Sequence, residues 1–338
     1  MNPLRAWNVF WFRPVSARPL GAFRIVVGVL TLVHLGLLWF DLDHWLTDAG
    51  LLIGDEARAA AGPLRFSPLI WLQDPFSVRL FVAGAAVAAA LFTIGWRTRI
   101  MGVVLFLGIL SIHHRNIATN CGPDNVLLIW LFYLMLAPSG AACSLDARRL
   151  TRQRGTIAEP IIQPWALRLI QLHLCLIYLN TAVLKCNGAT WLGGTALHFV
   201  LNNPEVGRFN LTVLCQYPVL LNVMTLGALF IEFALGFLLW FRPTRVALAL
   251  LGLALHGGIL LTVNVPLFGE LMTAAYLTFL DPDELDRLLA LVNPRAWLRR
   301  RGETARAPVV VPGRVDAPEG FRGPRAGVAI SADKADAS

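Results

Sequence analysis

The sequence has few charged side chains and none of the short motifs that mark common soluble enzymes. Only 15% of its 338 residues are Asp, Glu, Lys or Arg, against roughly 25% in typical soluble domains. No phosphate-cradling glycine motif, nucleophile elbow, zinc-binding helix motif or CxxCH haem site occurs in it. These absences exclude the enzyme classes that depend on those motifs and argue against an ordinary soluble fold.

Cysteine is also scarce, and its spacing excludes the usual thiolate metal sites. The chain has five cysteines and no CxxC pair. Cys186 and Cys215 fall in one predicted loop and could bridge if that loop faces an oxidising compartment. The alternative is that both are small, unpaired, apolar residues. The N-terminus has no A-x-A-like cleavage site, so we expect the first apolar segment to act as an uncleaved insertion signal.

What the sequence does have is long apolar runs. Hydrophobic residues make up 56% of the chain, and runs near 20 residues match the ~30 Å hydrocarbon thickness of a bilayer. The runs are continuous and lack the alternation of a membrane barrel strand. We therefore predict an all-α, polytopic membrane helical bundle with about eight spans, at residues 20–40, 76–94, 100–119, 124–138, 165–184, 218–241, 246–265 and 268–280.

The distribution of arginine predicts the orientation of this bundle. With a cytoplasmic N-terminus, every segment expected inside carries at least two basic residues, and the segments expected outside carry few. Topology thus accounts for the net charge of +8, without nucleic acid as a partner. We predict a cytoplasmic segment 1–19, a transmembrane domain 20–285 and a basic tail 286–338, with both termini in the cytoplasm. The expected location is a bacterial inner or plasma membrane.

One predicted span ends on a polar stripe. Gln171, Tyr178 and Lys185 are seven residues apart and Thr181 precedes Lys185 by four, so all four share a helix face. Such a stripe indicates a face that meets protein or a water-filled cavity. Lys185 could snorkel to the membrane surface, or a desolvated lysine could act as a base near neutral pH. We expect the second, with Tyr178 and Thr181 beside it.

Further ionisable groups lie inside or beside the spans, where they are rare and costly. His256 lies mid-span before two glycines and is either a hydrogen-bonded structural residue or part of the site. Glu232 is either a structural hydrogen-bond partner or a proton relay and ion partner for Arg168 or Arg24. Glu270 is close enough to the outer end of the last span to reach the compartment of Lys185.

A polar connection and a tryptophan complete the candidate pocket. We place His114, Asn116 and Asp124 in a lid or hydrogen-bonding wall, and Trp191 at headgroup level before an interfacial helix. His113 and His114 are adjacent and point to different helix faces, so they make a poor pair of metal ligands. No metal site is therefore predicted.

Several of these stretches, in their order along the chain, resemble the HTTM family, the membrane domain shared with vitamin K-dependent gamma-carboxylase. They include "IYLNTAVLKCNGATWLGGTALHF", "IGWRTRIMGVVLFLGILSIHHRN" and "LHGGILLTVNVPLFGELM". The resemblance covers roughly residues 16–285. It implies that Lys185 occupies the place of the base that deprotonates vitamin K hydroquinone, and that His256 is similar to the family's late-span histidine.

The resemblance also has departures. The carboxylase has a central histidine where this chain has Asp124 or Asn125, and a large lumenal domain that recognises its substrates. Two hypotheses follow. The chain is an enzyme that uses a lipid-soluble, vitamin K-like quinol with Lys185 as base, or it is a non-enzymatic partner in the maturation or export of a small peptide on the outer face.

Overall fold

The computed structural model describes residues 2–62, 65, 67–72, 74–117, 120–155 and 159–292. Over these residues the chain is almost entirely helical. A single antiparallel pair of two-residue strands, β1 (Val15–Ser16) and β2 (Ile161–Ile162), joins the segments that precede two long helices. The helices are α1 (Pro3–Phe12), α2 (Arg18–Phe40), α3 (Leu42–Leu46), α4 (Gly54–Ala61), α5 (Pro75–Ile94), α6 (Thr98–Arg115), α7 (Gly122–Leu136), α8 (Leu145–Arg154), α9 (Trp165–Cys186), α10 (Ala189–Leu192), α11 (Ala196–Asn202), α12 (Pro218–Leu238), α13 (Arg242–Thr262), α14 (Phe268–Ala274) and α15 (Pro282–Val292).

The prediction of an all-α membrane bundle is confirmed. Each of the eight predicted apolar segments forms a helix, the last one continuing from α14 into a 3-10 turn at Ala275–Phe279. Five helices are long and apolar enough to cross a membrane: α2, α5, α9, α12 and α13. The shorter helix α7 is apolar as well. Short helices fill the two long loops, where α3, α4, α10 and α11 lie.

Proline and glycine set several of the helix ends. Pro19, Pro75, Pro123 and Pro218 each lie in the first turn of a helix, where the missing N–H has no intrahelical partner to lose. Gly95 ends α5 with φ of 74°, a left-handed conformation that glycine adopts without steric cost. The chain therefore reverses within three residues, and α5 and α6 pack as an antiparallel pair.

The helix ends group into two sets. Hydrogen bonds, ion pairs and strand pairing join one set, which we call the Arg24 end, at residues 13–24, 93–98, 139–146, 159–171, 239–245 and 278–286. The opposite set, which we call the Lys185 end, contains residues 41–62, 67–72, 111–117, 120–124, 185–217 and 256–270. Successive long helices therefore run in alternating directions through the bundle.

The predicted domain boundary at residue 285 falls inside a helix. α15 begins at Pro282 and reaches Val292, and its Leu285 is buried. Asp286 forms an ion pair with Arg18 at the start of α2. The membrane domain thus includes at least part of α15. The rest of the predicted tail, residues 293–338, lies outside the described residues.

Candidate functional site

The Lys185 side chain is held between a carboxylate and an indole ring. Lys185 lies in the last turn of α9, and its ammonium forms an ion pair with Glu232 of α12. The Trp191 ring of α10 lies on another side, with its centroid 4.7 Å from Nζ, a cation–π distance. The side chains of Lys185 and Glu232 are 24% and 7% exposed. The amine therefore does not point into bulk solvent.

The register of α9 and α12 shows that Lys185 reaches back along its own helix. Gly236 packs against Leu179 and Cys175, so the middle of α9 is level with the end of α12. Lys185 lies further along, while Glu232 is only one turn from Gly236. The amine thus extends toward the middle of the bundle, the direction in which helical side chains lean. A snorkelling lysine would extend the opposite way.

Glu232 has a different partner from those predicted. The sequence left open a structural hydrogen bond to a neighbouring helix, or a role as proton relay or ion partner for Arg168 or Arg24, and neither arginine is the partner. Arg24 donates to four backbone carbonyls at the Arg24 end, and Arg168 donates to Gln171 and to the Phe10 carbonyl. One carboxylate oxygen of Glu232 accepts from Lys185. The other is buried and has no hydrogen-bond partner in the structure.

A buried hydrogen-bonded network surrounds Tyr178, which lies seven residues before Lys185 on the same helix. The Tyr178 hydroxyl is 2.8 Å from His256 Nε2 and 2.5 Å from the Tyr276 hydroxyl. All three residues are at most 6% exposed. His256 Nδ1 is buried without a partner. When His256 Nε2 accepts from Tyr178, Nδ1 carries the proton and is a free donor.

The short helix α14 closes this side of the site. A β-carbon added at Gly269 would lie 3.1 Å from His256 Cβ, so α14 approaches His256 closely because residue 269 has no side chain. Glu270 follows in the first turn of α14 and is partly buried. Its Oε2 is buried and unpartnered. Glu232, His256 and Glu270 thus each carry one buried polar atom that has no hydrogen-bond partner.

The remaining predicted pocket residues divide into two groups. Thr181 donates to the Tyr178 carbonyl within α9 and is half-buried on the predicted face. Asn116 donates to the Trp45 carbonyl of α3 at 3.0 Å. Asp124 lies beside His34 of α2 and His113 of α6. His114 lies in the last turn of α6 and is half-buried.

Asp124 belongs to a second cluster, with two histidines. His34 Nδ1 is 3.8 Å from Asp124 Oδ1, and His113 Nε2 is 3.9 Å from the same oxygen. His113 is buried, and the two imidazole rings meet edge to face. His34 lies 79 positions before His113, so local spacing along the chain did not indicate that the two residues meet.

Several cavities formed by described residues lie away from Lys185 and His256. One, of about 470 Å³, lies at the Arg24 end beside Arg168, Arg242 and Arg245. Another, of about 220 Å³, adjoins His34 and Asp124. Lys185 is reached at the surface of the bundle, where the neighbouring Leu184 is 61% exposed.

All five cysteines are free thiols, including Cys186 and Cys215. Cys121 precedes α7, and both its backbone N–H and its thiol lie within 3.1 Å of Asp124 Oδ2. Burial, together with the adjacent Asp124 carboxylate, raises the pKa of the Cys121 thiol to about 11. This cysteine therefore stays protonated near neutral pH and is a weak nucleophile.

The fold and the site define an integral membrane protein of many apolar helices with an ion pair and a tyrosine–histidine network buried between α9, α12 and α13. A family model described as the HTTM domain matches residues 12–283. The chain belongs to the HTTM family. No curated protein and no solved structure gives a significant match to it.

The choice between lysine and arginine along the chain singles out Lys185. The chain has 29 basic residues, and only two of them, Lys185 and Lys334, are lysines. Lys334 lies beyond the described residues. Nearly every basic residue of the chain is thus an arginine, whereas the basic residue that pairs with the buried Glu232 is a lysine. The difference matters because arginine keeps its proton in proteins and lysine can lose it.

Proposed function

We propose that this HTTM protein is a membrane enzyme that removes a proton from a lipid-soluble quinol or a similar apolar acid, with Lys185 as the base. The observation that carries the proposal is the choice of lysine at this position. Apart from Lys334, every other basic residue of the chain is an arginine, and the amine that can give up its proton is the one held between Glu232 and Trp191.

The chemistry assigned to the site is a proton transfer within a medium of low dielectric. In the structure Lys185 is an ammonium paired with Glu232. In the proposed step that ammonium first gives its proton to water, and the neutral amine then accepts a hydroxyl proton and becomes an ammonium again. Glu232 compensates that positive charge, which would be costly to form alone inside a membrane. Trp191 adds a cation–π contact from another side. Glu232 and Trp191 both stabilise the ammonium form of Lys185, which is the form that the proton transfer creates.

The neighbouring polar atoms fit the two oxygens of a quinol. His256 Nδ1 can donate, Glu232 Oε2 and Glu270 Oε2 can accept, and all three are buried without partners. Buried polar atoms are nearly always hydrogen-bonded in folded proteins. Tyr178 and Tyr276 fix the orientation of His256. A quinol anion, once formed, supplies the reactivity toward oxygen that the resemblance to the carboxylase implies.

The surroundings of Lys185 suit a substrate that arrives through the lipid. Val183 and Leu184 precede the lysine and are 53% and 61% exposed, and Leu192 next to Trp191 is 59% exposed. These side chains would face lipid tails in a membrane. A hydrophobic substrate dissolved in the bilayer could thus reach the amine laterally.

The test is a Lys185→Arg substitution in protein reconstituted into lipid nanodiscs with reduced menaquinone or vitamin K. Epoxide formation and incorporation of labelled CO2 are measured under oxygen. Arginine keeps the positive charge opposite Glu232 but cannot act as the base. Loss of a general base typically slows a reaction about 100- to 10,000-fold. We expect the variant to fold and to lose any turnover that the unaltered protein shows.

Lys334→Arg is the matched control because it removes the other lysine of the chain. It should retain full turnover. Activity of Lys185→Arg equal to that of the control would remove the base assignment, whatever the product is.

A second candidate function rests on the surface of the loops at the Lys185 end. Phe199, Phe209, Val213 and Tyr217 are each 58% or 59% exposed. Apolar side chains exposed together on loops fit a protein or peptide partner. Under this hypothesis the chain assists the maturation or export of a small peptide. Phe199→Ser with Phe209→Ser would then abolish peptide release, and Lys185→Arg would not.

A further inference from the structure

Three helices bring two imidazoles and a carboxylate together at the Lys185 end. His34 lies on α2, His113 in the last turn of α6 and Asp124 in the first turn of α7. One ligand atom from each lies within 4.8 Å of the other two. Their side chains are 18%, 5% and 14% exposed. We refer to these three residues as the histidine–aspartate cluster.

Ordinary hydrogen bonding does not account for the spacing in this cluster. Asp124 Oδ1 is 3.8 Å from one imidazole nitrogen and 3.9 Å from the other, whereas N–H···O hydrogen bonds span about 2.7–3.2 Å. His113 Nε2, the nitrogen that faces Asp124, is buried and has no hydrogen-bond partner. The carboxylate thus lies equally far from two nitrogens and bonds to neither.

The gap matches the size of a coordinated ion. Two ligands at about 2.0–2.1 Å from a tetrahedral zinc ion are separated by about 3.4 Å. The two separations from Asp124 Oδ1 exceed this by about half an ångström, and all three ligand atoms lie within 4.8 Å of one another, so side-chain rotations can bring them to an ion. Two neutral imidazoles and one carboxylate carry a net charge of −1, which favours a divalent cation.

The orientation of Asp124 is fixed by its other oxygen. Asp124 Oδ2 accepts from the Cys121 backbone N–H at 2.9 Å and from its thiol at 3.1 Å. This contact holds the carboxylate at the start of α7 and leaves Oδ1 directed toward the histidines. Such support for a ligating carboxylate is a regular feature of metal sites.

The cluster opens onto space for a further ligand. A cavity of about 220 Å³ is lined by His34, Asp124 and apolar residues that include Leu267 and Leu271. Three protein ligands with an open position are typical of catalytic zinc sites, and structural zinc sites use four. Calcium and magnesium prefer six or more oxygen ligands, and this cluster supplies one carboxylate.

We propose that His34, His113 and Asp124 bind a divalent first-row transition-metal ion, zinc in the first instance, with an open coordination position that faces the adjoining cavity. This site is separate from Lys185. Helix α14 lies between the two, because Leu267 and Leu271 line the cavity while Gly269 packs against His256. The proposal does not depend on the proposed function of Lys185.

The test uses the full chain, purified with a histidine-free tag, stripped with a chelator and incubated with Zn²⁺ or Co²⁺. We expect one tightly bound ion per chain by elemental mass spectrometry, and a visible Co²⁺ spectrum of low coordination number. Removal of an outer-shell partner weakens metal sites by about 10- to 100-fold. His113→Ala and Asp124→Asn, which remove direct ligands, should weaken binding by at least ~100-fold.

The matched control is His198→Ala, an exposed histidine at the same end of the bundle. It should bind one ion as the unaltered protein does. Retention of the ion in His113→Ala, or equal loss in His198→Ala, would overturn the assignment. If the ligand variants do not fold, X-ray absorption of the unaltered protein with Zn²⁺ decides. A first shell without two imidazoles, or no retained ion, rejects the site.

Discussion

The two ends of the bundle treat buried polar groups differently. At the Arg24 end, Arg24 and Asp146 have most of their hydrogen bonds supplied by loop backbone and neighbouring side chains. Among the described residues, eleven buried side-chain nitrogen or oxygen atoms lack a partner, and nine of them lie in the half of the bundle toward the Lys185 end. The exceptions at the Arg24 end are Trp11 Nε1 and Arg24 Nε.

This difference distinguishes buried polar groups that hold the fold together from buried polar groups that are available to bind a ligand. An unpaired buried polar atom costs free energy, so a fold keeps few of them. At the Arg24 end the polar groups hold loops together and few atoms remain for another molecule. At the Lys185 end, Glu232, His256 and His113 present atoms that the protein does not use. Substitutions at the two ends should therefore fail in different ways, by loss of folding or by loss of chemistry.

The largest effect is expected for Arg24→Met. Arg24 is fully buried and donates at 2.6 Å to the carbonyls of Ser139 and Cys143, and at 3.3 and 3.4 Å to those of Ala142 and Thr93. Methionine fills similar space and donates to none. Each stranded buried group costs about 1–3 kcal/mol. We expect loss of the monodisperse peak in size-exclusion chromatography of the detergent-solubilised protein.

Two controls frame this prediction. Arg148→Met removes an exposed arginine of α8 at the same end and should leave the elution profile unchanged. Glu232→Gln, toward the other end, should also fold, because the amide oxygen still accepts from Lys185. A folded Arg24→Met protein with unchanged thermal stability would contradict the structural role of the Arg24 end.

The extent to which the sequence predicted these two regions differs. Continuous apolar runs determine helix length directly, so segment 76–94 corresponds closely to helix Pro75–Ile94. The spacing of seven between Tyr178 and Lys185 correctly placed them on one face, since that spacing is a property of a single helix. Both successes depend only on information within one segment.

Contacts between distant segments could not be predicted in this way. Glu232 pairs with Lys185 across 47 positions, and the rotation of α12 about its axis, which decides this partner, depends on packing. His34 and His113 meet for the same reason. Local periodicity identifies which face of a helix is polar, but not which residues of another helix that face contacts. The residues whose contacts the sequence did not reveal, among them Glu232, His34 and His113, also carry buried atoms without a partner.

The next prediction concerns which end faces outward. The charge distribution predicts the Lys185 end outside. In a background without the native cysteines, Glu205→Cys at the Lys185 end should react with a membrane-impermeant maleimide in intact spheroplasts. A chain that retains only Cys143, which is exposed at the Arg24 end, should react at least ~10-fold more slowly until the membrane is opened. The reverse pattern would invert the orientation.

A smaller effect is expected where α13 packs on the tyrosine–histidine network. A β-carbon at Gly252 would lie 2.1 Å from the Tyr276 hydroxyl, so Gly252→Ala must displace that ring. Overpacking of this kind costs about 1–3 kcal/mol. We expect a lower apparent Tm together with reduced quinol-dependent turnover. Gly257→Ala is the control, because a β-carbon there has no neighbour within 4 Å. Equal behaviour of the two variants would contradict the packing.

The smallest effect is expected for Asp146→Asn at the Arg24 end. Burial alone raises the pKa of this carboxyl, but hydrogen bonds from Thr98 and Arg97, with Arg149 nearby, outweigh it and hold the pKa below its ordinary value. A lowered pKa adds stability above pH ~3.9 that is lost as pH falls through the folded-state value. The variant should melt about 2–4 °C lower at pH 7, and the difference should shrink toward pH 3. A difference that stays unchanged across this range would mean that hydrogen-bond geometry, not charge, stabilises the turn. The control is Asp283→Asn, which removes an exposed carboxylate and gives the change in melting temperature to compare with.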